Sequence, residues 1–253
     1  MCAIDRHVGS FSSRWVRLAG MGVVAVAATA LMAPLAAADA APAAKQRPVH
    51  NLLVNPGAEN GPPVRMVKNY RAFSTRGWTP MGYEAGGVQQ VPPEQFPYAT
   101  TYNGGLNGGL TKTTQGPKAG TRGARYFFGG SSNTTSTLTQ PVSLAKYASV
   151  IDSGKGTFAL SGWLGGYAEQ ADAVALTVTF LDANGQQVGT PATIGPVTPA
   201  MRGNQTKLML RSVTGAVPAQ ARSAMVQMLF GVRTGGTTND GYADNLVFGV
   251  VGG

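Results

Sequence analysis

The sequence N-L-L-V-N-P-G-A-E at residues 51–59 determines the arrangement that we expect for the rest of the chain. Residues 52–54 are apolar and predict a short, buried first strand. Pro56 fixes its own φ and Gly57 accepts a positive φ, so the chain must turn directly after this strand. The turn places one carboxylate, Glu59, just past the end of the strand.

The other end of the chain has the opposite order, an acidic turn followed by a strand. The turn contains Asp240, Gly241 and Asp244, and residues 246–250 are mostly apolar. If the first and last strands are neighbours, Glu59 comes close to Asp244 or Asp240. The two ends of the domain are therefore expected to meet, with their carboxylates at one location.

These features resemble those of the calcium-dependent jelly-roll carbohydrate-binding modules and the wider galactose-binding-like β-sandwich family. The resemblance rests on residues 51–59, on Gly77-Trp78 and on Asp244 in the last strand, and it covers about residues 49 to 250. The run S-G-W-L-G-G-Y at residues 161–167 is similar to the central part of secreted bacterial proteins of this kind. The architecture hosts many functions, so the resemblance implies a fold more directly than a ligand.

The resemblance also implies a structural calcium ion. Calcium takes six to eight oxygen ligands from carboxylates and carbonyls, and Glu59 and Asp244 are the expected side-chain ligands, with carbonyl groups near Asn51 and Asn55. The alternative is that Glu59 caps backbone N–H groups of its turn and that Asp244 pairs with a nearby basic residue. Two carboxylates alone do not distinguish these interpretations.

The first 40 residues have the pattern of a signal peptide. Arg6, Arg14 and Arg17 precede an uncharged run at residues 18–33, and A-x-A cleavage patterns follow at residues 36–40. The alternative, an uncleaved anchor, is disfavoured because the run is shorter than the ~20 residues that span a bilayer. We expect a signal peptide at residues 1–40, a flexible tether at residues 41–50 and one domain at residues 51–253, secreted and without stable membrane insertion after cleavage.

The cysteine content limits the possible sources of stability, and the charge limits the kinds of partner that we expect. The formal net charge is +9 and the only cysteine is Cys2, inside the expected leader. The exported chain would have no disulfide, so its stability must come from core burial and from any bound metal. A basic chain favours anionic surroundings such as an acidic glycan, but the basic residues are scattered, which argues against a nucleic-acid site.

The hydrophobic pattern predicts an all-β protein. Period-2 alternation predicts strands at residues 125–128, 136–140, 157–164, 174–181, 188–194, 208–213, 224–232 and 242–250. Pro141 is expected to end the second of these strands, and residues 144–151 predict one short helix. Residues 60–122 are rich in Gly and Pro and are expected to be irregular. The prediction is an antiparallel β-sandwich of jelly-roll, galactose-binding-like type.

Two loops are candidates for a carbohydrate-binding rim, because loops on a rigid scaffold often carry function. Their residues have aromatic rings, which can stack on sugar faces, or polar groups that can bind hydroxyls: Tyr98, Tyr102 and Asn103 in one loop, and Tyr167, Gln170 and Asp172 in the other. Trp78 and Trp163 could serve as platforms too, but large aromatic residues more often fill a sandwich core.

The sequence gives little support for catalysis. His50 is the only histidine after the leader, so a Ser-His-Asp triad or a histidine metal cluster cannot be built. No spacing singles out the paired carboxylates of a glycosidase. We therefore expect a non-catalytic carbohydrate- or glycan-binding domain; the alternatives are a structural or adhesive extracellular protein that binds proteins and, less favoured, a glycan-acting hydrolase.

Overall fold

A computed structural model gives the fold of the chain. It describes residues 49–67, 70–84, 87–89, 97–102, 109–130, 135–231 and 238–252. The expected signal peptide and residues 41–48 of the expected tether lie outside the described residues. None of the helices in these ranges is long and apolar enough to cross a membrane.

Two antiparallel sheets form a β-sandwich, which confirms the predicted fold class. The seven-stranded sheet has the order β1-β2-β5-β6-β13-β8-β11. Its strands are β1 (Pro63–Val67), β2 (Tyr70–Phe73), β5 (Tyr98–Thr101), β6 (Arg125–Gly130), β13 (Asn239–Gly252), β8 (Gly156–Gly166) and β11 (Lys207–Ala216).

The six-stranded sheet has the order β10-β9-β12-β7-β3-β4. Its strands are β10 (Gln187–Ile194), β9 (Ala173–Leu181), β12 (Ser223–Gly231), β7 (Thr135–Ser143), β3 (Thr79–Glu84) and β4 (Gly87–Gln89). Two short helices, α1 (Ala119–Arg122) and α2 (Ala148–Asp152), and a 3-10 turn at Ala145–Tyr147 complete the described elements.

The core lies between the two sheets and follows from the alternation in the strands. Leu176 and Val178 of β9 lie in register with Met228 and Val226 of the neighbouring strand β12, and all four side chains are buried. Trp78 is also a core residue, since it is 5% exposed and packs edge-on against Phe127 at 5.6 Å. Burial of these side chains supplies the main driving force for folding.

Two local predictions are wrong. Residues 60–122 contain β1 to β5, whose short strands and glycines hide the alternation. β7 continues through Pro141, because β3 pairs with β7 only as far as Thr139 and the proline is not required to donate to a second partner there. The helix predicted at residues 144–151 is present as the 3-10 turn followed directly by α2, and α1 was not predicted.

The edge strand β10 is irregular. Gly189 has a left-handed φ of 68°, Pro191 follows it, and the register to β9 shifts between Val188 and Ala192. A proline and a bulge both interrupt the row of hydrogen-bonding groups that an edge strand presents.

The predicted first strand at residues 52–54 is also wrong, although the chain ends do meet. Residues 51–56 run antiparallel to β13 in irregular conformation, with hydrogen bonds from Leu52 N–H to Phe248 O at 2.7 Å and from Leu246 N–H to Pro56 O at 3.0 Å. The Asn51 side chain supplies the intervening pairing: its Nδ2 donates to Leu246 O and its Oδ1 accepts from Phe248 N–H.

The other side of this N-terminal segment is held by Gln140 of β7. Gln140 Oε1 accepts from Val54 N–H at 2.7 Å, and its Nε2 donates to Val54 O at 3.0 Å and Gly77 O at 2.8 Å. Gln140 is 3% exposed. The segment's own Asn51 on the β13 side and Gln140 of β7 on the other side therefore complete its hydrogen bonding, and the segment closes one side of the sandwich.

Replacing Gln140 by Ala should destabilise the fold, because it leaves the N–H and C=O of Val54 and the C=O of Gly77 without this partner. These groups are only partly buried, since Val54 is 59% exposed, so water replaces part of the lost pairing and the expected loss in the free energy of unfolding is about 1–2 kcal/mol. Denaturant unfolding measures it. Gln186→Ala, at an exposed hairpin position, is the matched control, and equal stability of the two variants would contradict the assigned role.

Candidate functional site

Glu59 lies where the N-terminal segment meets the start of β6. Its Oε1 accepts from the N–H groups of Ala124 at 3.0 Å and Arg125 at 2.9 Å. Gly123 precedes them with a left-handed φ of 71°, and a β-carbon there would overlap the Glu59 carboxylate. Glycine is therefore required at position 123 for two reasons, the backbone conformation and the close approach of Glu59.

Asp244 lies close to this carboxylate and is fully buried. Its Oδ2 accepts from the Tyr102 hydroxyl at 2.5 Å, and its Oδ1 accepts from Asn245 N–H at 2.7 Å. Burial, together with the charge of Glu59, raises the pKa of Asp244 to about 8, against the lowering effect of its two hydrogen bonds and of Arg122. Burial and Asp244 together raise the pKa of Tyr102.

The carboxylate oxygen atoms of Glu59 and Asp244 are ligands of the type that a hard cation prefers. Asp244 is buried and its negative charge is only partly compensated, so a bound cation would supply the missing compensation. Within the described residues, however, no group of three or more His, Cys, Asp or Glu side chains converges. Glu59 and Asp244 would need backbone carbonyl groups or water to complete the coordination of calcium.

Both interpretations of Glu59 thus have support in the geometry. Glu59 does cap backbone N–H groups, although those of the turn before β6 and not of its own turn. Its other carboxylate oxygen can still bind a cation. The role of Glu59 and Asp244 as calcium ligands stays a prediction.

Arg122 organises the segment next to Asp244. The guanidinium is 6% exposed and donates to the carbonyl groups of Pro117, Thr111, Lys112 and Thr114. It also lies 5.0 Å from the ring centroid of Tyr102, a cation–π distance. Residues 111–117 are therefore wrapped around one buried cation.

An aromatic layer covers the outer face of the seven-stranded sheet. Its rings pack at centroid distances of 5.0 to 5.7 Å, mostly tilted or edge-on. The buried members of this aromatic layer are Tyr98, Tyr102, Tyr126, Phe128 and Tyr242, together with Leu110 and Leu208, and the partly exposed Trp163 and Tyr167 pack against them. The sheet is thus apolar on both faces.

The first predicted loop does not form an exposed rim. Tyr98 belongs to β5 and is 5% exposed, and Tyr102 directly follows β5 and is 4% exposed. Both rings are buried because the aromatic layer needs them as packing partners. Asn103 lies outside the described residues.

The second predicted loop is built around Arg202. This side chain is fully buried, and it donates to the carbonyl groups of Gly166, Ala168, Gln205 and Gln170. Burial lowers the pKa of Arg202. Gln170 therefore contributes its backbone to the loop, while its side chain is partly exposed.

Asp172 is not part of an exposed rim either, since it is 1% exposed. Its Oδ2 accepts from Asp240 N–H at 3.3 Å. The Asp240 carboxylate accepts from the hydroxyl groups of Tyr242 and Thr238, and burial, with the charge of Asp172, raises its pKa. Of the described rim candidates, Tyr167 and Gln170 remain partly exposed, and Tyr167 shares the aromatic layer with Tyr98 and Tyr102.

The sequence interpretation missed both arginines. Each is followed by a glycine with positive φ, Gly123 and Gly203. The same Arg-Gly pair occurs at the exposed Arg76, so the dipeptide alone does not mark a buried arginine. The aromatic layer had a clearer signal, because three consecutive aromatic residues in a strand, at residues 126–128, require cover on both faces.

No protein-family model and no curated protein matches the chain. Among solved structures, the Stig cyclase Fisc from Fischerella sp. TAU aligns with 10% identity and a TM-score of 0.49, covering 81% of this chain and 98% of the cyclase. TmCBM61, solved in complex with beta-1,4-galactotriose, aligns with 12% identity and a TM-score of 0.35, covering 81% and 99%.

The enzymatically active domain of bacteriophage CBA120 tailspike protein 4 aligns with 13% identity and a TM-score of 0.39. The alignment covers 79% of this chain, which spans only 21% of the tailspike chain. At these identities and TM-scores the likenesses carry no information about function.

Asp244 should make stability depend on pH when divalent cations are removed. Its pKa is raised to about 8 in the folded chain and is about 3.9 in an unfolded one, so the folded chain holds the proton more tightly. The free energy of unfolding should be highest below about pH 4 and fall as the pH rises toward about 8, because the buried carboxyl must then ionise.

Denaturant unfolding in chelator across this pH range measures the effect. In Asp244→Asn the free energy of unfolding should fall less with rising pH than in the wild type. Some decrease should remain, because Asp240 also has a raised pKa. Asp152→Asn is the control, since Arg222 lowers the pKa of Asp152. An equal fall in wild type and Asp244→Asn would show that Asp244 is not the group responsible.

Proposed function

We propose that the chain is an exported, non-catalytic glycan-binding protein whose platform is the open part of the outer face of the seven-stranded sheet. The observation that carries the proposal is the position of Trp163. It lies in β8 at the margin of the aromatic layer, partly exposed, in register with Asp244 of β13 on one side and Leu210 of β11 on the other.

The surroundings of Trp163 suit a sugar ring. Leu210 is 51% exposed, and the next outward positions along β8 and β11 are Ser161 and Ser212, paired in register. An indole offers an apolar plane to the C–H face of a sugar, and the serine hydroxyl groups can donate to and accept from sugar hydroxyls. A half-wet aromatic surface on a rigid sheet is what weak, reversible recognition of a polymer needs.

The charge of the chain favours an anionic glycan. The formal net charge is +9. A net positive charge increases the rate of encounter with acidic polymers. The proposed ligand is therefore an acidic polysaccharide or cell-surface glycan.

The burial of one pair of neighbouring carboxylates, Asp172 and Asp240, favours binding over hydrolysis. Asp172 and Asp240 are 1% and 5% exposed. Asp240 is hydrogen-bonded to Tyr242 and Thr238. A glycosidase needs two carboxyl groups that flank an accessible sugar, and a buried pair does not meet that requirement.

A structural calcium ion is part of the proposal. Glu59 and Asp244 would hold it between the N-terminal segment and β13. The cation would compensate the buried charge of Asp244, and it would tie together the two ends of a domain that contains no cysteine. The ion would thus cross-link the two ends of the domain, as a disulfide does in other proteins.

Trp163→Ala should weaken glycan binding by at least about tenfold, since it removes the ring that carries most of the contact. A glycan array followed by titration with the acidic polysaccharides that bind gives the measurement. Trp78→Phe, in the core, is the control that changes a tryptophan elsewhere. Wild-type protein that binds no glycan, or Trp163→Ala that binds as well as wild type, would overturn the proposal.

Chelation should lower the melting temperature of the wild type, and added calcium should restore it. Glu59→Gln retains an acceptor oxygen for Ala124 and Arg125 but loses the charge, so its melting temperature should no longer respond to calcium. Glu169→Gln, at an exposed position, should respond like the wild type. A wild-type melting temperature that is the same in chelator and calcium would remove the ion from the proposal.

A further inference from the structure

The outer face of the six-stranded sheet is almost free of charge. The six strands of this sheet contain one charged residue, Glu84 at the end of β3. The strands of the other sheet carry arginine, lysine and aspartate. We call the outward side chains of β7, β12, β9 and β10, together with Thr79 of β3, the neutral face.

A row of hydroxyl and amide side chains crosses the centre of the neutral face. The register places Thr79, Thr139, Gln227, Thr177 and Thr193 side by side on five adjacent strands. The hydroxyl groups of Thr177 and Thr193 are 2.8 Å apart and hydrogen-bonded. The alternate positions on these strands, such as Val178 and Val226, point into the core, so the row is directed away from it.

Apolar side chains lie on both sides of this row. Met225 and Leu229 are the neighbouring outward positions of β12, and Leu229 is 40% exposed. The neutral face is thus a surface in which methyl, methylene and hydroxyl groups alternate. Exposed sheet faces of soluble proteins are normally protected by charged side chains, which this face lacks.

The size of the neutral face matches that of a small specific interface. Five strands at ~4.8 Å and about eight residues at ~3.3 Å give a surface of roughly 24 by 27 Å, or about 600 Å² per copy. Two such surfaces bury ~1,200 Å², the lower end of the range for specific protein interfaces. The face is therefore large enough to support a reversible dimer.

The chemistry of the face matches its own copy. A threonine hydroxyl both donates and accepts, and so does a glutamine amide, so the row can pair with itself across a two-fold axis. The chain carries a formal net charge of +9, so two copies repel each other through most of their surfaces. A face without charged side chains is the one through which they can approach.

We propose that the neutral face is the interface of a homodimer, in which two six-stranded sheets pack face to face about a two-fold axis. Gln227, in the central strand of the row, would lie nearest to the axis. The seven-stranded sheets, with Trp163, would then face outward on opposite sides. The proposal does not depend on glycan binding.

Sedimentation velocity of the purified protein over a wide concentration range tests the dimer. The wild type should pass from monomer to dimer as the concentration rises. Thr177→Lys places two like charges in the contact and should raise the dimer dissociation constant at least tenfold. Thr214→Lys, the same substitution at an exposed position of β11, should dimerise like the wild type.

The melting temperature of the Thr177→Lys monomer distinguishes a folding defect from a loss of dimerisation. Thr193→Lys, at an exposed position of the same row, repeats the test at the edge of the face. A wild type that stays monomeric at all concentrations overturns the proposal, as does a Thr177→Lys variant that dimerises as well as the wild type. If the wild type is monomeric and Thr177→Lys loses binding to a polysaccharide, the face binds polymer and the dimer is wrong.

Discussion

The fold depends on two amide side chains that take the place of backbone pairing. Asn51 pairs with Leu246 and Phe248 of β13, and Gln140 pairs with both polar groups of Val54. The N-terminal segment can therefore be irregular and still satisfy its buried polar groups. Asn55 and Glu59 can then be placed where the start of the chain meets its end.

The motif at residues 51–59 is explained by this arrangement. Asn55 has a left-handed φ of 52°, and its side chain bonds to the backbone of Asn60 and Arg76. Its carbonyl accepts from the indole N–H of Trp78 at 3.4 Å. The motif is thus a set of polar side chains that each fix a different part of the backbone.

Two buried arginines play a similar part on the other side of the seven-stranded sheet. Arg122 donates to four carbonyl groups of residues 111–117, and Arg202 donates to three carbonyl groups at residues 166–170 and to that of Gln205. A guanidinium has five N–H donors in a fixed plane, so it can bind several carbonyl groups that a loop leaves unpaired. The loops over the aromatic layer are ordered by these contacts in a domain without cysteine.

The sequence predicted the sandwich and most strands after residue 124, because either alternation or, at residues 126–128, a run of aromatic residues marks them. It did not predict β1 to β5, since strands of three to six residues among glycines carry too little pattern. The proximity of Glu59 and Asp244 could be predicted from the pairing of the chain ends alone. The burial of Tyr98 and Tyr102 could not be predicted, because a second apolar layer depends on which loop covers the sheet.

The interrupted edge strand β10 has a consequence for the behaviour of the chain at high concentration. Pro191 and the left-handed Gly189 prevent a neighbouring polypeptide from adding a continuous strand there. Crowded copies of the chain therefore cannot extend this edge into open-ended ribbons of paired strands. The irregular backbone of β10 therefore prevents edge-to-edge pairing in a sheet whose strands carry almost no charged side chains to repel another copy.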